Sequence, residues 1–566
     1  MKRLVPVWLT GYRRDWLAGD LTAGLVVTVM LIPQSLAYAM LAGLPLQMGL
    51  YASVLPVIAY ALFGSSMTLA VGPVAVASLM TASALAPLAP MHSAHYAALA
   101  MQLSLLSGLM LLAFGVLRLG FLAHFLSHPV ISGFISGAAV LIAIGQIRYL
   151  LGVKIEADDV VGRVLELAGA IPDTNPAALA IGLGSVILLT LARRSLPGWL
   201  TSAGMTRAGA DLAARFAPML VVILATIAVM VFRLDETHGV AVVGTVPAGL
   251  PGLAPHAVFL DWSSLGDLIV PALLISVVGF VESVAVAQSF ALKRQQRIDA
   301  NREFLGLGAA NVASAVSGGL PVTGGLARSV VNFSAGANTP LAGVICAVLI
   351  GLTLIFFTPV FKALPQAVLA ATILVAITGL IDIQALRHAW TYDRADAITL
   401  AATAVGVIFI GVELGIVIGV VLSLASIVWR GSRPHIAVVG RVPGTEHFRN
   451  VERHSVQTTP DVLVIRIDES LLFTNAMQIR DWIDSHLAEQ SGLKRIVISF
   501  AGVNQMDTTG LEMLDALDKA LCSRGILLEF AEVKGPVMDK LKATTLGAAM
   551  NTRVHMSLHD ALSDAV

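Results

Sequence analysis

The sequence predicts an α-helical polytopic membrane protein that carries a small soluble α/β domain at its C-terminus. Of its 566 residues, 57% are hydrophobic and only 13% are charged, whereas a soluble domain carries about 25% charged residues. Apolar blocks of spanning length recur between about residues 20 and 430, and such blocks are typical of transmembrane helices. Beyond "WRGSRPH" (429–435) the composition becomes that of an ordinary soluble domain.

The membrane part is predicted to consist of two halves of opposite orientation. We expect an N-terminal segment of residues 1–16, a membrane domain of residues 17–432 and a soluble domain of residues 433–566. Each half has seven spans, an odd number, so the second half must be inverted, with repeats over about 17–233 and 267–430. Inverted repeats place a substrate site at their interface, near the bilayer midplane. The fourteen predicted spans start near residues 20, 45, 70, 97, 128, 175, 217, 267, 304, 323, 340, 362, 395 and 413.

Basic residues near the span ends predict the orientation, because short loops rich in Lys and Arg stay in the cytoplasm. Arg13 and Arg14 precede the first span, and "KRQQRIDANR" (293–302) follows the eighth. On the opposite side, the loop 234–265 contains no Lys or Arg, and the loop 152–174 has two basic residues against five acidic ones. We therefore expect both termini to be cytoplasmic, in a multi-pass protein that contacts the lipid of the cell (inner) membrane.

Two spans are interrupted by glycine and proline at matching places in the two halves. The segments are "LAVGPVAVASLMTASALAP" (69–87) and "SGGLPVTGGLARSVVN" (317–332), each the third span of its half. Backbone without helix partners is tolerated at membrane depth only where it lines a cavity or is buried in protein. A helix that begins there aims free N–H groups and the positive end of its dipole at that point. The pair therefore predicts an anion site; close helix packing through small residues is the alternative.

Four polar residues within the spans are candidates for function. Gln34 lies beside a proline in the first span, and contacts either a ligand or a neighbouring helix. Glu282 is a carboxylate inside the eighth span, which indicates function by default; a structural ion pair with Arg328 is the alternative. Arg328, one turn into the second half-helix, adds positive potential to the predicted site. Glu413, near the junction of the last two spans, is interpreted as structural or interfacial.

The rest of the sequence indicates no enzyme. Alternating strands and helices predict a small α/β domain, with strands in "VLVIRID" (462–468) and "RIVISFAG" (495–502). The two cysteines, Cys346 and Cys522, cannot form a disulfide framework. Phosphate-binding loops of the P-loop type, metal-ligand clusters and nucleophile–base sets are not found in the sequence. We expect no cofactor, no metal and no nucleic-acid partner.

Long motifs of the chain resemble those of the sulfate permease (SulP) family of anion transporters. They are "DLTAGLVVTVMLIPQSLAYAMLAGLPLQMGLYAS" (20–53), "VGPVAVASLM", "IDANREFLGLGAANVASAVSGGLPVTGGLARSVVN" and "PHIAVVGRVPGTEHFRNV". The soluble domain resembles the family's STAS domain, which is related to anti-sigma-factor antagonists. The resemblance implies seven plus seven inverted helices arranged as core and gate domains, a homodimer, and an elevator-like motion of the core against the gate.

The resemblance also implies which residues hold the anion. By position, the family's site falls on two residues of the first span, on the starts of both half-helices and on a nearby arginine. They are Gln34, Tyr38, Gly72, Pro73, Val74, Ala75, Gly324, Gly325, Leu326, Ala327 and Arg328.

Two departures within the family bear on the coupling ion. Bicarbonate relatives that use Na⁺ carry an Asp and a Thr where this chain has Glu282 and Val286, so a Na⁺ site here loses oxygen ligands. Sulfate carriers similar to those of plants have a Glu at the first position and couple to protons. The resemblance therefore favours Glu282 as the proton-coupling residue. Moving net negative charge inward against the membrane potential costs about 2.3 kcal/mol per charge per 100 mV, so a dianion also benefits from a proton.

The segment "NQMDTTGLEML" (504–514) contains a candidate regulatory site. In the bacterial regulators that STAS domains resemble, a Ser of a similar turn is phosphorylated, and Thr509 occupies that position here. We expect Thr509 to be the N-cap of the following helix, where a phosphate is electrostatically favoured; a plain helix cap is the alternative. A cytosolic partner of the STAS domain is expected as well.

The function predicted first is uptake of an inorganic oxyanion, with sulfate as substrate and H⁺ as co-substrate. A bicarbonate or dicarboxylate transporter coupled to Na⁺ or H⁺ is one alternative. An uncoupled anion channel or exchanger regulated through the STAS domain is another. Backbone N–H groups bind all of these anions, so the sequence does not select the substrate. Glu282 distinguishes the classes, because a channel gains nothing from a protonatable acid at its site.

Overall fold

The computed structural model describes residues 6–121, 127–155, 157, 159–252, 263–490 and 492–563. The chain divides into two compact units, Met1–Val421 and Leu422–Val566. The first unit is helical and the second is a mixed α/β domain, as the composition predicts.

In the first half of the helical unit, a helix or pair of helices lies at each predicted span. The short strand β1 (Val71–Gly72) interrupts the third of them. The helices are α1 (Val7–Thr10), α2 (Leu17–Leu41), α3 (Gln47–Tyr51), α4 (Leu55–Phe63), α5 (Ala75–Leu85), α6 (Ala94–Val116), α7 (His128–Leu151), α8 (Val160–Gly169), α9 (Pro176–Arg194), α10 (Leu196–Ser202), α11 (Arg207–Phe232) and α12 (Leu234–Thr237).

The second half repeats this arrangement, and the strand β2 (Thr323–Gly324) again interrupts the third predicted span. The helices are α13 (Leu265–Lys293), α14 (Ala300–Val316), α15 (Leu326–Ser334), α16 (Leu341–Phe356), α17 (Gln366–Ile377), α18 (Ile383–Tyr392), α19 (Arg394–Phe409) and α20 (Val412–Gly431).

Six helices in the described part of the chain are long and apolar enough to cross a bilayer on their own. Five more of the predicted spans coincide with shorter apolar helices in the described residues, among them α5, α16 and α17. A polytopic helical membrane protein is confirmed, while the count of fourteen spans stays a prediction. The six long helices span Arg14–Leu41, Ala94–Val116, His128–Leu151, Pro176–Arg194, Leu265–Lys293 and Val412–Gly431.

Glycines bring helices of the two halves into close contact. α6 packs against α14, and a Cβ added at Gly108 would lie 2.7 Å from the backbone nitrogen of Val312. A Cβ added at Gly308 would in turn lie 2.8 Å from the backbone nitrogen of Leu112. Small residues thus let the backbones approach, which is how membrane helices gain packing contacts where lipid offers no hydrophobic driving force.

The C-terminal unit is built on a six-stranded sheet in the order β4-β3-β5-β6-β7-β8. β3 pairs antiparallel with β4 and β5, and the strands from β5 to β8 are parallel. The predicted strands and helices of this domain are confirmed. The elements are β3 (Ile436–Arg441), β4 (Phe448–Asn450), β5 (Val462–Ile467), α21 (Ala476–Glu489), β6 (Arg495–Ser499), α22 (Thr508–Ser523), β7 (Leu527–Ala531), α23 (Gly535–Lys542), α24 (Thr545–Ala549), β8 (Val554–His555) and α25 (Leu558–Ser563).

Candidate anion-binding site

The two interrupted segments meet inside the helical unit. β1 and β2 pair antiparallel, with Val71 opposite Gly324 and Gly72 opposite Thr323. The backbone N–H of Gly325 adds a further bond, donating to the carbonyl of Ala70 at 3.0 Å. Antiparallel pairing is the relation expected of two segments that enter the membrane from opposite sides.

Each strand leads into a helix whose N-terminus has no side-chain cap. α5 follows the extended residue Val74, and α15 follows the extended residue Gly325. Within α5 and α15, the first backbone donors to find a helical acceptor are those of Ser78 and Ser329, which bond to Val74 and Gly325. The N–H groups of the first turns therefore stay available, together with the positive ends of both helix dipoles.

Arg328 places a fixed cation beside this junction. Its side chain is only 2% exposed, and its Nη1 and Nη2 atoms have no hydrogen-bond partner. A Cβ added at Gly72 would lie 2.7 Å from Nη1, and one added at Gly325 would lie 2.9 Å from Nη2. The guanidinium thus lies against both glycines. A buried guanidinium without an acceptor is costly, so this geometry is suited to an anionic ligand.

The first span contributes Tyr38 to the same region. Tyr38 and Ala75 belong to one buried apolar cluster, against which Val331 of α15 also packs. Tyr38 is 9% exposed and lies within electrostatic range of Arg328. Gln34, one turn earlier, is half-buried, and has no hydrogen bond among the described residues.

The predicted site residues differ in exposure between the two segments. Gly72, Pro73, Val74 and Ala75 are all buried. In the second segment Gly324 and Gly325 are buried, whereas Leu326 and Ala327 at the start of α15 are exposed. The site is therefore open on the side of the second half-helix.

Glu282 lies near the site without forming a contact ion pair. The carboxylate is within electrostatic range of Arg328, yet no salt bridge within 4.0 Å joins the two side chains in the part of the chain that the structure describes. Glu282 lines a small apolar cavity with Phe134 of α7 and Ile416 of α20. The alternative of a structural Glu282–Arg328 pair is thus not observed as a direct contact.

α13 also supports the second segment through the residue next to Glu282. The Oγ atom of Ser283 accepts a hydrogen bond from the backbone N–H of Gly324 at 2.8 Å. Gly279, one turn earlier, permits this approach, since a Cβ there would overlap the side chain of Thr323. Val286, which replaces a candidate Na⁺ ligand, is buried in the apolar core.

Side chains of the second half-helix hold the backbone of the first segment. The Ser329 Oγ atom accepts from the N–H of Ala70 at 2.9 Å and donates to the carbonyl of Gly325 at 2.8 Å. One turn later, Asn332 Nδ2 donates to the carbonyl of Thr68 at 2.9 Å. These bonds satisfy polar backbone that a broken span would otherwise leave without partners.

Glu303 is a structural residue of the site that the sequence reasoning missed. It is fully buried and accepts from the Tyr60 hydroxyl at 2.7 Å and from the Ser65 hydroxyl at 2.6 Å. The backbone N–H groups of Ser65 and Ser66 donate to it at 2.7 and 2.9 Å. The carboxylate of the second half thus fixes the chain that leads into β1.

Asp20 has a corresponding role for the second segment and was missed as well. It is fully buried and accepts from the backbone N–H groups of Asn338 and Thr339 at 2.6 and 3.0 Å. The Thr339 hydroxyl donates to its other oxygen at 2.7 Å. Both acids stand in motifs quoted above, and an acid at the edge of an apolar span was the available signal.

The candidate regulatory residue in the soluble domain is placed differently from the prediction. α22 begins at Thr508, and its N-cap is Asp507, whose Oδ1 atom accepts from the N–H of Gly510 at 2.9 Å. Thr509 is therefore not the cap, because the helix already begins at Thr508 and Thr509 lies inside its first turn. Thr509 is exposed in the first turn of the helix.

The chain is similar to known membrane transporters and to a known soluble domain. Sequence profiles of the sulfate permease family and of the STAS domain match residues 17–403 and 453–561. Sulfate transporter 4.1 of Arabidopsis thaliana, a chloroplastic protein, is 34% identical over 92% of this chain and 76% of its own length. A probable sulfate transporter of Mycobacterium tuberculosis is 34% identical over 94% of this chain and 92% of its own. The murine Solute Carrier 26 family member A9 anion transporter, in its inward-facing state, has the same fold, with a TM-score of 0.90. The two sequences are 22% identical, and the match covers 99% of this chain and 94% of the murine chain.

Proposed function

The chain belongs to the sulfate permease family, and from that premise we propose that it takes up sulfate or a similar inorganic oxyanion together with H⁺. Members of this family are membrane transporters and not enzymes. The observation that carries the proposal is the junction of two uncapped half-helices beside the buried, unpartnered guanidinium of Arg328.

The junction has the chemistry of an oxyanion site. Two helix N-termini offer N–H donors and positive potential without adding a second formal charge. Arg328 adds one full charge with a planar set of donors that suits tetrahedral and planar oxyanions. Gln34 and Tyr38 would complete the wall from the first span.

Sulfate is proposed as the substrate because two groups of relatives point to it. The plant and bacterial relatives described above are named as a sulfate transporter and a probable sulfate transporter. Their similarity extends over more than nine-tenths of this chain. We therefore propose that the interrupted segments face sulfate in this chain.

Proton coupling is proposed for Glu282 on electrostatic grounds. A charged carboxylate this close to the site repels an incoming dianion, whereas a neutral carboxyl does not. Proton binding and anion binding then favour each other, which is the thermodynamic requirement for symport. The absence of a contact pair with Arg328 in the described structure supports this role, since a committed pair would hold the carboxylate charged.

Transport is proposed to proceed by an elevator-like motion of a core domain against a gate domain, in a homodimer of the cell membrane. The backbone N–H groups of Ala70 and Ser66 donate to Ser329 and Glu303, and Asn332 donates to the carbonyl of Thr68. These bonds support a core that moves as one piece. Both termini would face the cytoplasm. The STAS domain would regulate transport there, with Thr509 as a candidate phosphorylation site and a cytosolic protein as its partner.

Uptake into proteoliposomes tests the proposal directly. Labelled sulfate, bicarbonate and fumarate are offered separately, with either a pH gradient or a Na⁺ gradient imposed. We expect sulfate to be concentrated when the outside is acidic, and Na⁺ to have no effect. Concentration of bicarbonate or fumarate in preference to sulfate, or a strict need for Na⁺, would overturn the substrate or the coupling ion.

The variant Glu282→Gln separates coupling from binding. We expect it to exchange sulfate in a counter-flow assay but to lose acceleration by a pH gradient, because its side chain stays neutral. Glu413→Gln is the matched control, an acid in the first turn of α20, and should keep the pH response. If Glu282→Gln still concentrates sulfate under a pH gradient alone, Glu282 does not carry the proton.

A further inference from the structure

A large cavity opens at the face of the helical unit where α8 lies. Its volume is about 430 Å³, and it is lined by residues of α2, α5, α7 and α8 and of the turn between α19 and α20. At its deep end it reaches Met40 and Leu79. These follow Tyr38 by two residues and Ala75 by one helical turn, so the cavity leads toward the central site.

The wall of this cavity contains an unsatisfied amide that the transport mechanism so far does not use. Gln146 lines the cavity, although its side chain is only 1% exposed. Its Oε1 atom is buried without a hydrogen-bond partner. A buried amide without a partner costs free energy comparable to a lost hydrogen bond. A rotation of the amide would turn its two N–H donors toward a ligand instead.

Arg148, two residues further along α7, lies in the same wall, and its guanidinium is held in place by Tyr149. Its Nη2 atom donates to the Tyr149 hydroxyl at 2.7 Å, and its guanidinium carbon lies 4.6 Å from the centre of the Tyr149 ring. Its Nε atom is buried and has no partner. Stacking fixes the plane of the guanidinium, and the free Nε–H lies on the edge with which arginine binds oxyanions bidentately.

Two cations and one carboxylate belong to the described lining of the cavity. Arg148 and Arg163 both line it, against the single carboxylate of Asp159. Asp159 is engaged as the N-cap of α8, accepting from the N–H of Gly162 at 2.9 Å. Burial lowers the pKa of His92, and the charge of Arg148 lowers it further.

We propose that Arg148 and Gln146 form a second, outer subsite for an inorganic oxyanion, which collects the substrate before it reaches the central site. The proposal rests on the proposed function and adds a capture step to it. Arginines in the wall of a cleft of low dielectric attract anions and raise their association rate. By the proposed orientation, the cavity opens on the non-cytoplasmic side, where uptake begins.

A thiol in the cavity wall reports occupancy of this subsite without any need for transport. Gly145 lines the cavity, and a Cβ added there meets nothing within 4 Å, so Gly145→Cys fits the wall. Cys346 is buried and Cys522 is exposed, which makes Cys522→Ser the suitable background. The rate of labelling by an anionic methanethiosulfonate is measured with and without sulfate, with chloride at equal ionic strength as the reference.

We expect sulfate to slow the labelling of Gly145→Cys by about fivefold or more, because the positive charge of Arg148 concentrates sulfate at the subsite and bound sulfate excludes the anionic reagent. Adding Arg148→Gln should abolish this protection, and adding Gln146→Leu should weaken it. Adding Lys154→Gln is the matched control, since Lys154 is an exposed cation of the adjacent loop, and it should leave protection intact. Protection that survives Arg148→Gln would overturn the outer subsite.

The variant Arg328→Gln distinguishes the outer subsite from the central one. Protection by sulfate should persist in Arg328→Gln, because Arg328 belongs to the central site. If protection is lost in Arg328→Gln, the thiol reports only binding at the central site, and the proposal is overturned. Sulfate uptake by the same proteins is read separately. Arg148→Gln should raise the KM for sulfate about fivefold and weaken the salt dependence of KM, with kcat unchanged. If the wild-type protein takes up no sulfate at all, that result contradicts the proposed function alone.

Discussion

The two broken segments of the membrane unit have matching backbones but different side chains. In α5 and α15 the third residues are Ala77 and Arg328, and the fourth residues are Ser78 and Ser329. Both serines are fully buried. Ser329 bonds across to the first segment, whereas the Ser78 Oγ atom has no hydrogen-bond partner. The first segment thus provides a backbone surface, and the second provides the charge and the hydrogen bonds that hold both.

This difference has a physical reason. Two facing arginines would repel each other in a medium of low dielectric, so a single Arg328 is preferable to a symmetric pair. Gly72 on the opposite segment leaves the room that this guanidinium occupies. The segment that carries the charge also carries polar groups for the other backbone. The asymmetry between the halves can therefore be tested residue by residue.

The largest effect is expected from the buried acid that fixes the first segment. Glu303→Ala leaves four donors, from Tyr60, Ser65 and Ser66, without their acceptor. Each buried donor left unsatisfied costs about 1–3 kcal/mol, so we expect a large fall in the thermal unfolding temperature in detergent. The unfolding temperature of Glu303→Gln should fall less, because its amide oxygen still accepts hydrogen bonds.

Glu413→Gln is the control for this prediction. Glu413 lies half-buried in the first turn of α20, and has no described hydrogen bond. A change in unfolding temperature as large as that of Glu303→Ala would show that any acid in this unit is equally important, and would contradict the role given to Glu303.

The second-largest effect concerns the cation of the second segment. Arg328→Ala should weaken sulfate binding by roughly 10–100-fold, because a hydrogen bond to a charged group contributes about 1.5–3 kcal/mol. Arg328→Lys should keep measurable binding, since the charge remains while the planar donor set is lost. Calorimetric or scintillation-proximity binding to the purified protein is the measurement. An unchanged affinity in Arg328→Ala would remove Arg328 from the site.

A matched pair of glycine variants sharpens the comparison at a smaller scale. In Gly72→Ala the new Cβ would lie 2.7 Å from Arg328 Nη1, and the residue has a φ of +155° that favours glycine. In Gly324→Ala the Cβ would lie 2.8 Å from Cδ1 of Leu69, a flexible apolar side chain. We expect Gly72→Ala to lower sulfate affinity several-fold by displacing the guanidinium. Gly324→Ala should lower the unfolding temperature slightly and keep the affinity. Equal affinities in the two variants would contradict this division.

The sequence allowed the broken segments to be predicted, because glycine and proline at matched places have a direct backbone meaning. It also indicated Arg328 and Glu282, since charges inside apolar spans are rare. It did not indicate Glu303 or Asp20 as partners of distant loops. Each accepts bonds from residues more than two hundred positions away, and nothing in local spacing records such a contact.

The cap of α22 was predicted wrongly for a related reason. Asp507 and Thr509, two positions apart in sequence, are both residue types that cap helices, and the choice depends on where the chain turns. In the structure the second oxygen of Asp507 also accepts from the backbone N–H of Phe473 at 2.7 Å. That contact comes from a separate loop, and it favours the carboxylate as the residue at which the helix begins.

The two equivalent serines test the asymmetry most directly. Ser329→Ala removes the acceptor for the N–H of Ala70, which should cost about 1–3 kcal/mol, because a buried donor is left unsatisfied. Ser78→Ala removes a buried hydroxyl that has no partner, and should be neutral or slightly stabilising. The two substitutions delete the same atom from the same position of corresponding helices, so their unfolding temperatures can be compared without correction for size. If Ser78→Ala is as destabilising as Ser329→Ala, the two segments hold each other symmetrically, and the second one does not serve as the support of the first.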